Sequence, residues 1–192
     1  AKQMAIFTKQ ILANTLKEMV KTKPIDKITV TELVEKCGIN RQTFYYHFQD
    51  IYDLLAFIYK SEAVASIENQ LNLKTWQEGL ITVVEYMRNN EALCLNTYRS
   101  LGREHLERFL HDVFDELVGQ IVAEISKGKD LEEKAKIFIT KFYSYALAGT
   151  LLEWLSHGMK ESNEEMEKNI STIMDGSITY GINRYLTHKK GL

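Results

Sequence analysis

Thr29–Phe48 reads TVTELVEKCGINRQTFYYHF, and the order of caps and apolar residues in it describes two short helices joined by a tight turn. Thr29 and Glu32 have capping-box spacing: the threonine hydroxyl takes one free N–H, and the glutamate reaches back to another. Val30, Leu33, Val34 and Cys37 follow at i, i+3, i+4 and i+7, which gives a two-turn helix with one buried face. Gly38 closes it where the backbone needs a positive φ. Asn40 is a good N-cap for a second helix over Arg41–Phe48.

At about 100° per residue, Phe44 and Phe48 fall about 40° apart on that second helix and face the same way. Gln42, Thr43, Tyr46 and His47 share an arc of about 140° on the other side. Tyr45 lies at the border, with its hydroxyl free to reach outward. Two rings are therefore expected in the core, and two polar-tipped rings are expected outside it. Aromatic stripes at helical spacing are commonly core, but that reading accounts for Phe44 and Phe48 and leaves Tyr46 and His47 unexplained.

Two such helices form a helix-turn-helix, in which the second helix enters the major groove with its N-terminal residues near base edges. Arg41 and Gln42 suit bidentate contacts to guanine and adenine. The Thr43 methyl suits a thymine methyl, while Tyr45, Tyr46 and His47 can donate to phosphate oxygens. Thr29 and Thr31, beside the free N–H groups of the preceding helix, fall where a second backbone contact is expected.

Outward from this stretch the pattern stays helical. A first helix is predicted from about Met4 to Lys21, with Leu12, Leu16, Met19 and Val20 on one stripe; it stops before Pro24, the chain's single proline. Lys27–Thr31 (KITVT) is the nearest approach to a strand and is too short to build a sheet. Further starts are predicted at Thr75–Glu78, Asp130–Glu133 and Ser162–Glu165, with helices reaching about Asn89, His157 and His188. Gly128 and Gly158 precede the last two. Two more helices cover about Glu91–Leu101 and Glu104–Lys127. The expectation is an all-α protein of about nine helices, with a helix-turn-helix head over residues 1–50 and a larger helical body over 51–192.

Residues 1–60 hold nine Lys/Arg against six Asp/Glu, a balance of +3, and residues 61–192 hold fifteen against twenty, a balance of −5. A basic head on an acidic body suits a polyanionic partner. The apolar runs are far short of the ~20 residues that cross a bilayer, and the N-terminus lacks the continuous apolar stretch of a signal peptide. Cys37 and Cys94 have neither CxxC spacing nor a disulfide pattern, which fits a reducing cytoplasm. No HExxH, GxSxG, P-loop or GxGxxG pattern occurs, and His105, Glu107 and His111 make no three-ligand set, so neither an enzyme nor a bound cofactor or metal is expected.

In the body, Ile170, Met174, Ile178, Gly181 and Tyr185 share one seam, and Phe138, Phe142, Ala146 and Gly149 another. Small residues let helices approach closely, so these seams fit either a four-helix dimer interface or the chain's own core. Trp76, Tyr86, Tyr98, Phe109, Phe114, Tyr143 and Trp154 are either plain packing or the lining of a ligand cavity, with Asn96, Arg99 and Arg103 as polar anchors. Nothing in the sequence identifies a ligand.

Residues 5–55, above all KITVTELVEKCGINRQTFYYHFQDIYDLL, resemble the DNA-binding head of the tetracycline-repressor (TetR) family, whose recognition helix carries a TFYYHF-like motif after a Gly-containing turn. Phe142–Leu155 (FYSYALAGTLLEWL) is similar to the penultimate helix of regulators common in Gram-positive bacteria. The resemblance implies a homodimeric regulator that binds a palindromic double-stranded operator and senses a small-molecule effector through its body. By position it puts DNA contacts on Thr29, Thr31, Arg41, Gln42, Thr43, Tyr45, Tyr46 and His47. One position departs: the family's usual phosphate-binding lysine is replaced by Ile51, beside Asp50 and Tyr52. The backbone N–H groups of that helix start, or the Tyr52 hydroxyl, are the candidate substitutes. The leading expectation is thus a ligand-responsive repressor; the other is a helical module or co-activator that grips a protein with the same aromatic face.

Overall fold

Thr29 caps its helix as its spacing predicts. Its hydroxyl accepts the Glu32 N–H, and the Glu32 carboxylate accepts the Thr29 N–H in return. The computed structural model describes residues 2–64 and 76–189. Within them the chain forms α1 (Lys2–Met19), a 3-10 turn (Ile25–Lys27), α2 (Val30–Cys37), α3 (Arg41–His47) and α4 (Ile51–Ile58), which runs on into a π-helical turn (Tyr59–Val64). There follow α5 (Trp76–Asn89), α6 (Glu91–Tyr98), α7 (Arg103–Ser126), α8 (Glu133–Ser156), α9 (Asn163–Met174) and α10 (Ser177–Lys189). The described residues contain no strand, and none of their helices is long and apolar enough to cross a membrane. The Thr75 cap position lies outside them.

Each head helix buries the stripe its sequence marks. Leu12, Leu16, Met19 and Val20 of the first helix and its end, Leu33 and Val34 of α2, and Phe44 and Phe48 at α3 are all buried. Gly38 turns the chain with φ 67°, a conformation glycine adopts without the Cβ clash that penalises other residues. The core continues through Ile51, Leu54, Leu55 and Ile58 of α4 into the body. There the 24-residue helices α7 and α8 pack along one another, and α5 packs on α9.

Two helix boundaries differ from the expectation. The capping spacing at Asp130 does not open α8: the Leu131 N–H turns back to the Lys129 carbonyl, and the helix begins at Glu133 after an extended Glu132. The expected final helix is two helices. Its capping box at Ser162 forms, but Gly176 at φ 73° breaks it after Met174. Asp175-Gly176 is a turn dipeptide, a signal the apolar periodicity through this region overrode.

The two body seams also part company. Ile170, Met174 and Ile178 are buried within the chain's own core, whereas Phe138, Phe142, Ala146 and Gly149 of α8 are exposed. Ile173, Tyr180 and Tyr185 accompany them on the outside of α9 and α10.

Candidate nucleic-acid interface

α3 is held from beneath by rings. Phe44 and Phe48 lie with centroids 5.9 Å apart, and Phe48 meets Phe57 of α4 at 5.4 Å. On the far side Tyr46 is 81% exposed while Phe44 is fully buried, so the helix presents two chemically opposite faces. Asn40 fixes the helix start: its Oδ1 accepts the Thr43 N–H at 2.8 Å and the Thr43 hydroxyl proton at 3.0 Å. Thr43 therefore retains its methyl group as the part available for an outside contact.

Gln42 is exposed and has no side-chain partner among the described residues. Arg41 leans along Tyr45, with a guanidinium nitrogen 3.4 Å from the Tyr45 hydroxyl and the guanidinium carbon 5.8 Å from its ring centre. Tyr45 is half exposed and meets Phe44 edge-on. His47 is half-buried against Tyr46, at 5.0 Å between centroids. Burial, and then the nearby Lys9 charge, hold its imidazole below the usual histidine range, so it stands as a neutral donor near pH 7. Six of the eight expected contact residues thus share one two-turn helix, and Thr29 and Thr31 open α2.

Thr29 offers less than its position suggested. Its hydroxyl both accepts from Glu32 N and donates to Glu32 Oε2 at 3.0 Å. Glu32 also pairs with Lys23 at 2.5 Å, and Lys23 and Thr29 together hold its carboxyl down to about 2. A fixed carboxylate at the start of α2 disfavours a phosphate there. Thr31 stays exposed.

Of the two substitutes for the missing lysine, the Tyr52 hydroxyl is engaged within the protein and the α4 start is capped at its Asp53 N–H. Ile51 is 7% exposed and points into the core. Asp50 accepts the Asp53 N–H at 2.8 Å, and Asp53 accepts the Gln49 N–H at 2.9 Å, so the α4 start carries its own carboxylates. The Tyr52 hydroxyl donates to Asp26, and burial beside that carboxylate raises its pKa to about 12.

Asn96, expected as a ligand anchor, instead ties body to head. Its Nδ2 donates to the carbonyls of Val20 (2.9 Å) and Lys23 (3.1 Å), and its Oδ1 accepts the Ile25 N–H at 2.7 Å. Asp26 adds a second tie by accepting the Leu101 N–H at 3.2 Å, and Lys17 pairs with Glu62 at 2.8 Å. Arg103 lies over the Tyr98 ring and pairs with Glu107. Asparagine side chains that satisfy three backbone groups leave no mark in a sequence.

Comparison with known proteins agrees with this architecture. Residues 11–58 match the model of bacterial regulatory proteins of the tetR family, and residues 74–176 match that of a transcriptional regulator C-terminal region. The HTH-type dhaKLM operon transcriptional activator DhaS of Lactococcus lactis subsp. lactis (strain IL1403) is 22% identical over 173 residues, 89% of each chain. A solved structure of the dihydroxyacetone kinase operon activator DhaS superposes with a TM-score of 0.72, at 21% identity, over 94% of this chain and 99% of that one.

Proposed function

Because the chain belongs to the tetR family of bacterial regulatory proteins, a family of DNA-binding transcriptional regulators, we propose that it binds a palindromic operator as a homodimer, with α3 of each protomer in a major groove. The observation that carries this reading is the division of α3: Phe44 and Phe48 are sealed inside while Gln42 and Tyr46 stand in solvent. In that placement Arg41 and Gln42 read base edges, Thr43 offers its methyl to a thymine, and Tyr45, Tyr46 and His47 donate to phosphates. Thr31 extends the backbone contact, and Thr29 serves chiefly as the cap of α2.

The homodimer is supported by the exposed apolar residues Phe138, Phe142, Tyr145, Ile173 and Tyr180, since exposed apolar surface of this kind marks an interaction site. A small-molecule effector is supported by the body's interior: the Tyr86 and Ser144 hydroxyls are buried without a hydrogen-bond partner among the described residues, a costly state that a polar ligand group relieves. Effector binding that shifts the separation of the two heads lowers operator affinity, which gives a ligand-responsive repressor in the cytoplasm with no catalytic step of its own.

A second reading is favoured by one observation. Both DhaS matches are named activators, so the same DNA-bound dimer acts positively if its body recruits another protein. Sequencing genomic fragments retained by the purified protein tests the DNA reading; recovery of an inverted repeat with half-sites about one helical turn apart is expected. Recovery of random fragments alone overturns it. A reporter driven from the recovered site then gives the sign of regulation.

A further inference from the structure

At the α3–α4 corner Ile51 is buried, the Tyr52 hydroxyl is held by Asp26 and the Asp53 N–H by Asp50, and a cation approaches from another element. Lys9 of α1 holds its ammonium 5.6 Å from the Phe48 ring centre and 5.2 Å from that of Phe57. Phe48 is the residue that ends the recognition helix, directly after His47. Three other lysines of the head pair with carboxylates, Lys17 with Glu62, Lys21 with Glu18 and Lys23 with Glu32, while Lys27 and Lys36 are exposed. Lys9 has no carboxylate within ion-pair distance among the described residues.

We propose that Lys9, on the first helix, is the backbone clamp of this head, its ammonium held over the Phe48 and Phe57 rings and paired with the DNA phosphate that flanks His47. The inference rests on α3 being the DNA-reading helix. A ring pair attracts an ammonium through its negative faces but leaves its three N–H donors unsatisfied by any strong acceptor. A phosphate oxygen satisfies them. The same rings restrict the flexible lysine stem before DNA arrives, so less side-chain freedom is lost on binding. The Lys9 charge, which adds to burial in disfavouring protonation of His47 in the free protein, is then neutralised by the phosphate, and the two residues act on the DNA backbone together.

The test is a salt titration of duplex binding by the full chain, comparing wild type, Lys9→Gln and Lys9→Arg, on the selected operator and on random duplex. Loss of one phosphate contact per protomer lowers the slope of log affinity against log salt by about one per protomer, and affinity by on the order of tenfold per dimer on both duplexes alike. Lys9→Arg, which keeps the charge and also stacks on rings, retains the wild-type slope. An unchanged slope for Lys9→Gln overturns the proposal, even if its melting temperature falls, because that pattern is a ring contact serving the fold alone. A wild-type protein whose binding to either duplex is insensitive to salt overturns the reading of α3 itself, a different failure that the variants do not share.

Discussion

Phe44 and Tyr46, two positions apart on α3, are fully buried and 81% exposed, and that contrast was legible because helical geometry alone assigns each residue a direction. The partners of the outward residues were legible only where they are local caps. The Thr29–Glu32 capping box is local and could be read from TVTE, whereas nothing in DIYD shows that Tyr52 is drawn to Asp26, a bond that depends on tertiary approach. Gln42, unpaired among the described residues, is the residue with the most to give a base. Gln42→Ala is expected to remove about 1–3 kcal/mol of discrimination at one operator position, while His47→Ala weakens operator and random duplex equally. Competition binding with single-position operator variants checks this, and equal losses on both duplexes for Gln42→Ala sink its base-reading role. His47 also gives a pH signature. Its folded-state pKa is lowered by burial and Lys9, so between that value and its ordinary one the unfolded chain binds more protons, and stability declines as pH falls through the window. DNA reverses the preference, since a phosphate favours imidazolium. Affinity is therefore expected to rise as pH falls from about 8 to about 6, and the rise should vanish in His47→Gln. Anisotropy titrations across that range measure it.

At the scale of the element, identical chemistry had different outcomes. Thr29 and Ser162 both form the full capping box their spacing predicts, whereas Asp130, with equivalent spacing, lies in a turn ahead of α8. The difference is in what precedes each site. Gly128, at φ 73°, sends the chain into a turn closed by Ser126 and Lys129 carbonyls, which uses the residues a cap would need. Local propensity is thus outvoted by a neighbouring turn, and periodicity was outvoted in the same way at Gly176, where continuous apolar spacing concealed the break between α9 and α10. Helical character was readable along the described chain; helix ends, and the division of the last segment into α9 and α10, depended on which of two competing local structures closed first. The Thr29 cap gives this a measurable consequence. Thr29→Ala removes the acceptor for Glu32 N and one partner of the Glu32 carboxylate, and is expected to cost about 1 kcal/mol of stability. Its operator affinity should fall less than that of His47→Ala, because the Thr29 hydroxyl is already engaged within the protein. Denaturant melts alongside binding curves separate the two quantities. A Thr29→Ala protein of unchanged stability and much weaker binding would show that the threonine serves the phosphate and not the helix.

For the whole molecule, head and body are joined by polar ties through which the proposed effector would act: Asn96 on three backbone groups of the head, Asp26 on Leu101, and Lys17 on Glu62. Such ties transmit a change only if the heads are referenced to one another, and the proposed dimer supplies that reference. The sequence left its two body seams undecided between a partner and the chain's own core, because periodicity shows that a face is apolar and says nothing of what covers it. The structure separates them: Ile170, Met174 and Ile178 are covered within the chain, while Phe142 on α8 remains 61% exposed. A substitution there tests the partner without disturbing the core. Phe142→Glu places a carboxylate where a two-fold contact brings it near its own copy, so like charges meet in an apolar surface. The variant is expected to sediment as a monomer while keeping the wild-type helical content and nearly the wild-type melting behaviour at low concentration. Each monomer retains its α3 face, so a single half-site should bind it as well as it binds one wild-type head. The palindromic operator should lose on the order of 10²–10³ in affinity, the gain that linking two heads confers. Sedimentation with half-site and full-site binding on one preparation resolves every part of this. A Phe142→Glu protein that stays dimeric on a full-affinity palindrome would place the self-association surface elsewhere on the molecule.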